Sequence, residues 1–178
     1  MSLVAGLDLG TQSIKLVVYD PAARQVLATQ GRALDLIAGD DGSREQHPAD
    51  WLDAIRACFS AVDPAIRARI AALGVSGQQH GFVPLDAEGQ VLASAKLWCD
   101  TSTSAQCAPI MEAVGGVAAC IAQAGNPILA GYTASKLPWT KAHRPEVYAK
   151  LAAIALPHDY VNLWLTGARW MEHGDASG

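Results

Sequence analysis

Apolar residues come in short runs at the start of the chain and at helical spacing further on. Leu3 to Leu9 reads as a buried strand, and Ile14 to Tyr19 is a second apolar run rich in β-branched residues. Asp20-Pro21 punctuates, and Gln25 to Thr29 predicts a third strand returning after the "DPAARQ" turn. The three strands form a meander. The polar stretch "AGDDGSREQHPAD" reads as loop. From Pro48 to Val62 the spacing becomes helical, with Pro48 in the first turn and Trp51, Ile55, Cys58 and Phe59 on one face. Ile70 to Ser76 predicts another buried strand, which ends in "GQQHG". Phe82 to Leu85 and Val91 to Leu92 predict a hairpin around "DAEG", and "LWCD" an extended segment. Helices are expected over 103–114, 116–124, 133–143 and 159–165, the last stopped by Gly167. Pro138 falls inside one of them, early enough to be tolerated. The order β-β-β-α-β-β-β, then helices, predicts an α/β fold with a mixed sheet.

Composition narrows the class. The chain has 178 residues, 51% hydrophobic and 17% charged, which suffices for a core and excludes a disordered tail. The net charge is -4 with no block of Lys or Arg, so no nucleic-acid partner is expected. The apolar run at 3–9 lacks the basic flank of a signal peptide, and no run is long enough to span a bilayer. These features predict a soluble, cytoplasmic protein without a membrane partner. The 4 cysteines form no CxxC, and their spacing with the 5 histidines matches no zinc pattern. Reduced, buried thiols are the expectation. The closing "WMEHGDASG" is polar and reads as the middle of a loop, which predicts that the chain is a fragment of a longer one.

Four segments carry candidate chemistry. In "DLGTQS", Asp8 ends a buried strand and is followed by Gly10, Thr11, Gln12 and Ser13. A turn of this kind exposes backbone N–H groups and hydroxyls that suit phosphate oxygens, Asp8 could hold a divalent cation beside them, and Lys15 adds a positive charge. An ordinary hairpin with Asp8 bonding turn amides explains the same residues. The segment is neither a Walker P-loop nor a GxGxxG. In "SGQQHGF", Gln79 and His80 follow a buried strand and can hydrogen-bond several hydroxyls of a polyol; a loop histidine without a role is the plain alternative. In "LWCDTSTSAQC", Trp98 offers a flat apolar face and Asp100 an acceptor, as a sugar pocket would; Asp100 is equally a cap for the turn before the next helix. In "GDASG", Asp175 either lines the same cleft or belongs to a flexible terminus, and the terminus is the simpler expectation.

Taken together, "GLDLGTQSIKLVVYD", "GVSGQQHG", "LWCDTST", "SKLPW", "LPHDYVNLWLTG" and "GDASG" follow the order seen in the amino-terminal domain of the FGGY carbohydrate kinases. The chain resembles that family over nearly its whole length, and within it the xylulokinases most. The resemblance implies a ribonuclease-H-like, actin-like ATPase fold, with ATP and Mg²⁺ as cofactors and a sugar as substrate. It places Asp8 near the metal and the transferring phosphoryl group, and Gly10, Thr11, Gln12, Ser13 and Lys15 at the ATP phosphates. It places Gln79, His80, Trp98, Asp100 and Tyr132 at the sugar. Many relatives carry Arg where this chain has Ser102. The resemblance further implies that the catalytic base and the adenine pocket lie in a second domain, beyond Gly178. The implied activity is ATP-dependent phosphorylation of D-xylulose to D-xylulose 5-phosphate. Another sugar or polyol of the family, such as ribulose, gluconate or glycerol, or a non-catalytic sugar-binding regulatory module on the same fold, remains as the alternative, and a homodimer is a family-level expectation.

Overall fold

The structure is a computed structural model and describes residues 2–175. Along the chain it contains β1 (Leu3–Leu9), β2 (Ser13–Asp20), β3 (Gln25–Ala33), β4 (Ile37–Ala38), β5 (Arg44–Gln46), α1 (Pro48–Ser60), α2 (Pro64–Arg67) and β6 (Ile70–Gly77). It continues through β7 (Val83–Leu85), β8 (Ala95–Lys96), α3 (Ser104–Ala113), α4 (Val117–Ala124), α5 (Thr133–His143), α6 (Pro145–Tyr148), β9 (Ala153–Ala155) and α7 (Pro157–Thr166). Two compact units result, one from Met1–Leu36 with Pro48–Gln78, the other from Ile37–His47 with Gln79–Gly178.

The first unit is built on a mixed sheet of order β3-β2-β1-β6, with β1 antiparallel to β2 and parallel to β6. Alternation in β1 sends Leu3, Ala5, Leu7 and Leu9 to the buried face and Val4, Gly6 and Asp8 to the exposed one. Ile14, Leu16 and Val18 of β2 join the buried face, where α1 packs against β2 and β3. Trp51, Ile55 and Cys58 on α1 are at most 1% exposed, so the expected helical stripe is the one that docks, with Phe59 at its margin. Full burial of side chains of this size is worth about 1.5–3 kcal/mol each.

The second unit holds two small sheets, β4-β5-β8 and β7-β9, with α3 packed on α4 and α5. Here the sequence expectations need correction. The stretch expected to be loop contains the end of β4 and all of β5. Its strands hid because Glu45 and Gln46 are polar yet 5% and 2% exposed, and because β5 pairs with the distant β8. The expected hairpin around "DAEG" is reduced to a bridge between Leu85 and Val91, and β7 takes β9 as its ladder partner. Helix α7 starts two residues earlier than expected, with Pro157 in its first turn, and ends as expected at Gly167, whose φ of 71° suits glycine. Helix α5 runs through Pro138. Among the described residues no single helix is long and apolar enough to cross a membrane; α3 and α4 pass that test only as a pair bent by 83°.

Candidate active site

In the first unit, Asp8 projects from the exposed face of β1. Its cross-strand neighbour is Lys15 on β2, so a carboxylate and an ammonium stand side by side on one open surface. Ser76 on the parallel strand β6 donates its hydroxyl to Asp8 Oδ1 at 3.0 Å, leaving the second carboxylate oxygen available. Gly6 and Gly74 keep the sheet face flat beside them, and an open groove of about 470 Å³ runs over Gly6, Asp8, Lys15, Val17, Gly74 and Ser76. The turn from β1 to β2 is closed by Gly10 N–H donating to the Ser13 carbonyl at 3.1 Å. A Cβ at Gly10 would stand 3.0 Å from that carbonyl, which favours glycine there. Thr11 donates its hydroxyl to Gln78 Oε1 at 3.1 Å, and Gln78 N–H extends the β1–β6 pairing by donating to the Leu9 carbonyl at 2.8 Å. Gln12 is exposed, and its carbonyl accepts the N–H of Leu34 at 2.9 Å. Ser76 and Gln78 are contacts of candidate site residues that sequence reasoning missed; the parallel register of β6 with β1 brings them beside Asp8 and Thr11, and no local signal announces it.

The donor set fits a metal-bound nucleotide. An exposed carboxylate with a free oxygen suits a hard cation, and a lysine with turn amides and hydroxyls suits phosphate oxygens.

In the second unit, His80 follows β6 with φ at 53°, the left-handed region that non-glycine residues seldom occupy, at a cost of roughly 1–2 kcal/mol. Its neighbours hold it there. Asp175 accepts the His80 N–H with both carboxylate oxygens, at 2.9 and 3.2 Å, and lies 2.7 Å from His80 Nδ1. Asp175 is 3% exposed, so the expected flexible terminus is corrected to a buried partner of the histidine. Its own N–H and that of Gly174 donate to the Glu172 carboxylate at 2.9 and 2.6 Å, and these two bonds hold that carboxyl below its ordinary range. Ala176 and Ser177 lie outside the described residues.

The Tyr132 ring stands 4.5 Å from the His80 ring at an angle of 51°, so two predicted site residues meet. Gln79 is exposed beside them. Trp98 is 50% exposed, and its backbone runs so close to Gly131 that a Cβ there would collide with the Trp98 carbonyl. Asp100 is placed differently from a hydroxyl acceptor in a pocket. It is 0% exposed, its Oδ2 accepts Lys96 Nζ and Arg44 N–H at 2.9 Å each, and its Oδ1 accepts the Ser102 N–H at 3.0 Å and hydroxyl at 2.6 Å. The turn-capping reading of Asp100 describes these bonds. Lys96 is itself buried, bonded also to Ser102 Oγ at 2.9 Å, 3.2 Å from Glu45 Oε1 and 3.7 Å from the centroid of the Trp139 ring. Burial raises the thiols of Cys58, Cys99 and Cys107 above their ordinary range, as suits inert cysteines.

Residues 3–178 match the FGGY family of carbohydrate kinases, N-terminal domain. The chain belongs to this family, and its fold is the actin-like ATPase fold of FGGY sugar kinases. Among curated relatives, the xylulose kinase of Haemophilus influenzae is 39% identical over 97% of this chain and 36% of its own length. Among solved structures, a xylulose kinase from Brucella ovis superposes with a TM-score of 0.91 at 34% identity, covering 99% of this chain and 37% of that one. A xylulose kinase from Rhodospirillum rubrum superposes with a TM-score of 0.89 at 28% identity, covering 98% and 36%. The chain therefore spans about a third of the length of the relatives it matches.

Proposed function

We propose that this chain is the amino-terminal part of an ATP-dependent sugar kinase whose preferred acceptor is D-xylulose. The observation that carries the reading is the exposed Asp8 carboxylate, anchored by Ser76, facing Lys15 and bordered by the Gly10–Ser13 turn. Mg²⁺–ATP, when bound, supplies the phosphoryl group and the cation that offsets its charge. Asp8 would hold the cation, directly or through water, while Gly10, Thr11, Gln12, Ser13 and Lys15 receive phosphate oxygens. Gln79, His80, Tyr132 and Trp98 bind and orient the sugar, and Asp100 holds the segment that carries Trp98. The acceptor hydroxyl oxygen bonds to the γ-phosphorus as the bond to the leaving oxygen breaks. The hydroxyl proton passes to a carboxylate that this reading places in the remainder of the protein, with the adenine pocket. A cytoplasmic enzyme, acting as a homodimer, accompanies this reading.

Substitution of Asp8 in the full-length gene product tests it. Asp8→Asn should lower kcat with D-xylulose by at least about a hundredfold with the thermal midpoint unchanged. Near-normal kcat would remove Asp8 from the reaction. A panel of ketoses and polyols in a coupled ADP-release assay, run alongside, identifies the acceptor.

A further inference from the structure

Lys136, on the first half of α5, is 0% exposed, and the reaction outlined above gives it no task. Its ammonium donates to the carbonyls of His80 and Gly131 at 2.7 Å each and of Tyr132 at 3.2 Å. One cation thus satisfies the backbone of two separate segments, the one carrying His80 and the one carrying Tyr132. Those are the residues whose rings meet at 4.5 Å. The His80 backbone sits in the left-handed region, so its carbonyl needs a fixed partner to keep its direction. Asp175 grips the N–H of His80 on one side and Lys136 grips its carbonyl on the other.

We propose that Lys136 is a positioning residue for the sugar: a tethered ammonium that clamps the His80 and Tyr132 segments together and so sets the spacing of the two rings that receive the substrate. This rests on the assignment of His80 and Tyr132 to the sugar. It adds a residue that touches no substrate and acts through the two that do.

The charge state of the clamp bears on its strength. The charged and titratable groups around it are Asp100 and Cys99 on the segment after β8, Lys96 on β8, Asp175, and the His80 ring. Burial pushes the Lys136 amine down to about 7, against the opposing pull of Asp100. A neutral amine has two N–H donors for three carbonyls, so the clamp slackens as pH rises through that value. Stability moves the other way. Between about 7 and the ordinary lysine value of 10.5 the unfolded chain holds a proton on this amine that the folded chain has released, so this group's contribution to stability rises with pH.

The test is Lys136→Met in the full-length gene product, which keeps the stem and removes the cation. The expected result is a sugar KM raised about tenfold, with the ATP KM changed by less than about twofold. A folded variant whose sugar KM stays within about twofold of wild type overturns the proposal. Should the variant fail to fold, the wild-type protein answers: its sugar KM should climb as pH passes upward through about 7, and a flat profile overturns the proposal. The His80 ring resonances, recorded without sugar, separate this proposal from the one beneath it. If they move in Lys136→Met while the wild-type protein phosphorylates no sugar, the clamp stands and the sugar reading falls. If they stay fixed while sugar turnover is normal in both proteins, the clamp alone falls.

Discussion

Asp100 carries four hydrogen bonds and no exposed surface, and Lys96 beside it is equally enclosed. Breaking such a pair by removing one partner leaves a buried charge uncompensated. Asp100→Ala should therefore cost about 3–5 kcal/mol, read as a lowered urea midpoint of unfolding. A loss below about 1 kcal/mol would mean that Glu45 and Ser102 suffice to hold Lys96. The sequence announced Asp8, Lys15 and His80 because each lies close to a turn or a glycine that invites a ligand, whereas Tyr132 was singled out only by the family resemblance. It was silent on Lys136, because a lysine in a helix ordinarily reads as a solvated face. It was ambiguous on Asp100, where one carboxylate after a tryptophan fits a pocket and a cap equally well. It undervalued Asp175, whose burial depends on meeting His80 across 95 positions of chain.

At the level of elements, β1, β2 and α1 were legible because each buries one face against its neighbours, and the periodicity of the sequence records that burial. Strand β6 forms where the apolar run predicts it, but the expectation of a buried strand is corrected: its residues are half-buried or exposed, and it is held by its parallel pairing with β1. The short pieces β4, β5 and β9 were not, since they are two or three residues long, and β5 and β9 take partners far along the chain, β8 and β7. The same non-local packing sets Gly131 against the Trp98 carbonyl, so the segments bearing Trp98 and Tyr132 meet without room for a side chain. Gly131→Ala should force these backbones apart. A loss of about 1–3 kcal/mol in stability and a raised sugar KM are expected. An unchanged KM in a folded variant would separate the Trp98 segment from sugar binding.

For the whole molecule, fold and family follow from the chain itself, while the proposed activity assigns a role to residues outside it. It matches its curated relatives over about a third of their length. It carries the exposed carboxylate and the ring pair that the proposal assigns to a cation and a sugar, and the proposal places the proton acceptor and adenine pocket outside it. The central claim is that phosphoryl transfer needs both parts. Steady-state ADP release with D-xylulose and Mg²⁺–ATP, measured on the full-length gene product and on residues 1–178 side by side, tests this most directly. Turnover by the full-length protein and none by residues 1–178 is the predicted result. Comparable turnover by residues 1–178 alone would contradict it.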